Sequence, residues 1–180
     1  VTWFCAAGTM IVAAVSAYAA WLAFRHIPLS AAGNWLRLDT LSAYHLVIMM
    51  VIFSMSALFG VSYFREEIKR GEISRNLARR YGGFWFGALT AMMLVLVSNN
   101  LAVMWVGIEA TTLVTAFLIC IHASPGSLEA MWKYLLMCSV GVAVAFIGTL
   151  LVVAATAHAD LHGTQALLWT CLRDSVTKLN

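Results

Sequence analysis

Five long apolar runs divide this chain, each set off from the next by a short polar break. They run from about Thr2 to Phe24, Leu41 to Phe64, Gly82 to Val97, Leu101 to Ile121 and Leu128 to Ala157. A helix needs roughly 20 apolar residues to cross a hydrocarbon core. Lipid admits only helices or closed barrels, and the runs lack the period-two alternation of barrel strands. The pattern predicts an all-α, polytopic transmembrane bundle of about five helices over residues 1–157, with an extramembrane tail over 158–180. Small residues crowd the first run (Ala6, Ala7, Gly8, Ala13, Ala14, Ala19, Ala20) and suit close helix packing in lipid. The fifth run is longer than a span requires, which implies tilt or an extended end.

The breaks carry their own signals. In Arg25–Thr40, Pro28 and Gly33 interrupt any helix, and NWLRLD alternates apolar and polar residues as a short surface strand would. Trp35 suits the interface, and Asp39 stands where a carboxylate can cap the second helix. In Arg65–Tyr81, six Arg and Lys residues outnumber three glutamates, which reads as a solvated loop helix that fixes orientation, with an acidic-lipid or partner-docking site as the alternative. The positive-inside rule makes this segment cytoplasmic and Arg25–Thr40 external. Asn99 and Asn100 mark a tight outer turn, HASPGS a cytoplasmic hairpin. The tail stretch LLWTCL is too short to span.

Composition agrees with this picture. The chain is 62% hydrophobic and 11% charged, against about a quarter charged residues in soluble domains. A net charge of +3 is too small and too local to suggest nucleic acid. Cys5, Cys120, Cys138 and Cys171 lack CxxC or zinc spacing and read as packing residues. No signal peptide is evident, and Val1 in place of a start methionine suggests a processed or cut N-terminus.

The exceptional residue is Glu109, a carboxylate in a run otherwise apolar or carrying small hydroxyls. It lies about nine residues, or roughly 13 Å, from the outer end of its helix. Ionisable groups at that depth are costly, face protein or water, and mark functional sites. Ala102, Trp105, Thr112 and Ala116 share its face, and Thr112 could bond the carboxylate or hold a water. Desolvation favours the neutral acid and a nearby cation the anion, so a carboxyl balanced between them can carry protons. Lys133, the one Lys or Arg of the last two runs, lies about 10 Å nearer the cytoplasmic surface. We expect it to face inward or to reach Glu109 through water; snorkelling, or pairing with Glu129 four residues earlier, competes with that. His45, one turn into its helix, is a candidate proton relay, although an interfacial histidine held by a neighbour is the plainer reading.

NNLAVMWVGIEATTL and SLEAMWKYLLMCSVGVAVAFIGTLL resemble the antiporter-like, proton-translocating membrane subunits. These are shared by NADH-quinone oxidoreductase (complex I), membrane-bound hydrogenases and multisubunit sodium/proton antiporters. WVGIEATTL and EAMWKYLLMCSVG are most similar to component F of the hydrogenase-4 and formate hydrogenlyase type, and WLRLDTLSAY fits the family's outer loop. The resemblance covers nearly the whole chain. It implies about fourteen helices built on two inverted repeats, with Glu109 as the family's proton-path glutamate on the fifth helix. The five runs would be the family's second to sixth helices, and Lys133 falls on the sixth, distinct from the lysine of the broken seventh.

The resemblance thus implies an N-terminal piece of such a subunit, unable to conduct by itself. It implies a multi-pass protein of the bacterial inner membrane, partnered by lipid and by other membrane subunits. No redox centre or other cofactor is expected, so the chain would be a non-redox translocase subunit of an oxidoreductase complex. The proton-path residues would be Glu109 with Lys133, Thr112 and His45. The alternatives are a subunit of a cation/proton antiporter and a truncated scaffolding remnant.

Overall fold

A computed structural model describes residues 2–25, 27, 29–71, 74–155 and 163–178. Five helices in it are long and apolar enough to cross a membrane. They are α1 (Thr2–Phe24), α2 (Thr40–Arg70), α3 (Arg75–Val97), α4 (Leu101–Ile119) and α5 (Pro125–Ala155). Strands β1 (Leu29–Ala31) and β2 (Leu36–Leu38) lie between α1 and α2. A 3-10 turn over Gly163–Leu167 leads into a short helix, α6 (Trp169–Lys178). The chain is an all-α polytopic bundle carrying one small hairpin.

Each of the five long helices overlaps one of the apolar runs, and α2 and α3 extend well beyond theirs. Over Arg65–Tyr81, read as a solvated loop helix, the helical residues belong to the long helices themselves: α2 continues to Arg70 and α3 begins at Arg75. Hydropathy marks where lipid would end, whereas hydrogen bonding decides where a helix ends. At 31 residues, α2 is about 46 Å long, well beyond a hydrocarbon core of about 30 Å. The overhang is stabilised locally. Glu66 and Arg70 pair across one turn at 3.4 Å, and Lys69 and Arg70 sit at the negative end of the helix dipole. Gly71, at φ 75°, closes the helix with bonds to the Glu67 and Ile68 carbonyls. Ser74 then caps α3 through the Leu77 N–H.

The break after α1 folds as an antiparallel hairpin pairing Leu29 with Leu38, Ser30 with Arg37 and Ala31 with Leu36. The expected strand in NWLRLD is β2; Pro28 lies outside the described residues. Ala32, Gly33 and Asn34 all take left-handed φ values, the conformation of a tight hairpin turn, which glycine adopts without cost. Asp39 caps α2 by accepting from the Ser42 N–H at 2.7 Å, as expected. Pro125 opens α5, where its missing N–H costs nothing.

In the bundle, α1 packs along α2, α3 along α4, and α5 against α4. Close approach follows from small residues: Ala20, Ala23 and Ala43 are buried together with Leu38 and Leu46. Gly107 lets α4 approach α3 so closely that an added Cβ would stand 2.8 Å from Val95 Cγ2. α5 is the outlying member, with no buried residue. It is tied to α4 by Trp105 and Phe146, whose rings lie 4.7 Å apart, and by Thr115 Oγ1 and Tyr134 Oη at 2.8 Å.

Candidate functional site

α4 positions the site. Asn100 caps it, its Oδ1 accepting from the Ala102 and Val103 N–H groups at 2.9 and 3.2 Å. Glu109 stands nine residues further on, near the middle of the 19-residue helix. It is half-buried and makes no hydrogen bond or ion pair with any described residue. Of the residues expected on its face, Thr112 and Ala116 are buried, and Trp105 turns to α5, donating to the Val142 carbonyl at 3.4 Å.

The predicted companions of Glu109 are placed differently from expectation. Thr112 does not bond the carboxylate: its hydroxyl donates to the Ile108 carbonyl at 3.1 Å. A hydroxyl one turn from an open carbonyl finds a nearer acceptor than a side chain across the helix face. Lys133 does not face inward. It is 70% exposed and pairs with Glu129 at 2.5 Å, because the i, i+4 spacing brings the two together at little conformational cost. His45 is exposed, and its Nδ1 meets the Leu41 carbonyl at 2.9 Å, the plainer of the two readings. The structure therefore brings none of Lys133, Thr112 and His45 into hydrogen-bond contact with Glu109.

Two cavities flank this region on the α2–α3–α4 side. One, about 560 Å³, is lined by His45 together with Phe53, Met92, Ile108 and Thr112, among others. The other, about 520 Å³, lies at the hairpin end and includes Arg37, Asp39, His45, Asn100 and Arg173. His45 and Thr112 line these cavities; Glu109 lines neither.

Sequence reading missed the weight carried by Asn99 and Asn100, taken only as a turn. Asn99 is 4% exposed and ties three segments together. Its Nδ2 donates to the Asn34 carbonyl at 2.8 Å and to Thr170 Oγ1 at 3.0 Å. Its Oδ1 accepts from the Thr170 N–H at 3.3 Å. Its main chain bonds the Trp35 carbonyl and the Trp169 N–H. The tail is thus docked on the bundle, with Leu168 and Leu172 buried. Paired asparagines at a membrane break were the available signal, but partners 65 and 71 residues away are not written in the local sequence. The described residues contain no cluster of metal-ligating side chains, and all four cysteines are free.

Five helices long and apolar enough to cross a membrane define a multi-pass membrane protein. The chain is 35% identical over 140 residues to a protein named hydrogenase-4 component F homolog from Methylacidiphilum infernorum (isolate V4), an alignment covering 78% of this chain. The chain belongs to the antiporter-like family of membrane subunits, on the hydrogenase-4 component F branch. The matched stretch spans 29% of that relative's length. No family model matches the chain, and no solved structure matches it.

Proposed function

We propose that the chain is part of a proton-translocating subunit of a hydrogenase-like or NADH-quinone oxidoreductase-like complex, with Glu109 in the proton path. It would sit in the bacterial inner membrane among other membrane subunits, the basic ends of α2 and α3 toward the cytoplasm. The observation that carries this reading is the Glu109 carboxylate itself, at the middle of α4 and without a partner among the described residues. An ionised carboxylate in lipid costs several kcal/mol unless water or a cation meets it. The described residues supply no cation, so a proton path through Glu109 calls for water or a group from another helix beside it. Thr112 keeps a hydroxyl one turn away, and His45 and Lys133 stand nearer the two helix ends, where water reaches them.

The test is Glu109→Gln in the complete subunit, assembled in its complex and sealed into vesicles with a pH-sensitive dye inside. Glutamine keeps shape and hydrogen-bonding capacity but cannot ionise, so assembly should persist while proton flux falls sharply. Unchanged flux with normal assembly refutes the proposal.

A further inference from the structure

The two cavities form one amphipathic site. They share His45, Val95 and Leu96, so the polar chamber at the hairpin end adjoins the apolar groove between α2, α3 and α4. The chamber gathers positive potential from several directions. Arg37 and Arg173 line it, and so do residues at the N-terminal ends of three helices: Leu41 and Ser42 of α2, Leu101 of α4, and Trp169 and Thr170 of α6. Helix N-termini attract anions through their dipoles, although the N–H groups of Ser42, Ala102, Val103, Trp169 and Thr170 are already bonded within the protein. Asp39 supplies one opposing carboxylate, already engaged with the Ser42 N–H. Asp174, bonded to Arg173 at 3.0 Å, offsets part of that charge from outside the lining.

A separate observation points to a bound group. Asn100 is 1% exposed, its Oδ1 is committed to capping α4, and its Nδ2 is buried with no hydrogen-bond partner. A buried donor left unmade costs about 1–3 kcal/mol. Asn100 also lines the chamber, and a small shift of its side chain would bring that donor to a ligand oxygen there.

The groove below decides what kind of ligand. Its walls include Ile48, Ile52, Phe53, Met92 and Ile108, and apolar cavities stay dry. A small hydrated anion would leave it unfilled. From the capping residues Asp39 and Asn100 to Phe53 and Thr112, the site runs about 18–21 Å along the helices. That is a headgroup layer plus one leaflet of a hydrocarbon core about 30 Å thick. We infer that this site holds one anionic phospholipid, its phosphate between Arg37 and Arg173 with Asn100 Nδ2 donating to a headgroup or ester oxygen, and an acyl chain in the groove.

The test uses the full chain in phosphatidylcholine nanodiscs containing a minor fraction of phosphatidylglycerol with a photoreactive group midway along its acyl chain. Cross-links are mapped by mass spectrometry against a phosphatidylcholine probe carrying the same tail. The phosphatidylglycerol probe should label Met49, Ile52 and Met92 severalfold more strongly. The Arg37→Gln/Arg173→Gln double variant should bring it down to the phosphatidylcholine level. Arg37→Gln alone, on a half-exposed side chain, should lower labelling with the hairpin intact by circular dichroism. Ile52→Trp, on the exposed groove wall, should block labelling without touching the arginines. Equal labelling by both probes would mean bulk lipid only. Labelling indifferent to the arginines would remove the headgroup contact, and none at all would mean that protein fills the groove. Each of these three results overturns the inference.

Discussion

Replacing Asn99 with alanine should release the tail while leaving the membrane bundle standing. The side chain makes three hydrogen bonds, two to Thr170 and one to the Asn34 carbonyl, all removed by the substitution. At about 1 kcal/mol each, with a buried Thr170 N–H left unmade, the loss is about 2–4 kcal/mol. Two main-chain bonds, to Trp35 and from Trp169, survive, as does the burial of Leu168 and Leu172, so docking weakens without vanishing. Hydrogen–deuterium exchange of the full chain reads this directly. Amides of 163–178 should exchange about 30- to 1,000-fold faster, each 1.4 kcal/mol being tenfold. Thr170→Ala removes one of the three bonds and should produce about a third of the free-energy change. The helices α1–α5 should exchange as before. Unchanged exchange in α6, or acceleration spread evenly over the bundle, would refute the clamp.

Gly107→Leu should destabilise the α3–α4 pair, because the added Cβ meets the stiff Val95 side chain at 2.8 Å and the Ala91 carbonyl at 3.4 Å. Overpacking of about 2–3 kcal/mol outweighs a gain of about 1 kcal/mol in helix propensity; a denaturation midpoint in mixed micelles should fall. Lys133→Met should change stability by about 0.5 kcal/mol or less, as expected of an exposed i, i+4 pair, and should lower proton flux far less than Glu109→Gln. Wild-type flux from Glu109→Gln together with loss from Lys133→Met would reverse that ranking. Single cysteines at Arg65 and at Trp35, in a cysteine-free background, should react with an impermeant reagent from opposite sides of the membrane. Reaction of Arg65→Cys from outside alone would invert the orientation.

The number of membrane-length helices, their order and the place of Glu109 within α4 were legible along the chain, because the cost of placing polar groups in lipid acts residue by residue. Asp39 as a cap and β2 within NWLRLD were legible for the same reason: capping and alternation are local. The family was legible too, in WVGIEATTL and EAMWKYLLMCSVG. The ends of α2 and α3 were not, since Glu66–Arg70 pairing and the Gly71 cap extend a helix past the point where hydropathy falls. Lys133 and Thr112 illustrate the same limit at the site. Their residue types allowed contact with Glu109, and only geometry showed that Glu129 and the Ile108 carbonyl stand closer. Asn99, Asn100, Arg37 and Arg173 gather at one end of the bundle from the hairpin, the α3–α4 turn and the tail. Such convergence depends on how helices pack and where the chain returns, which the tertiary structure alone decides.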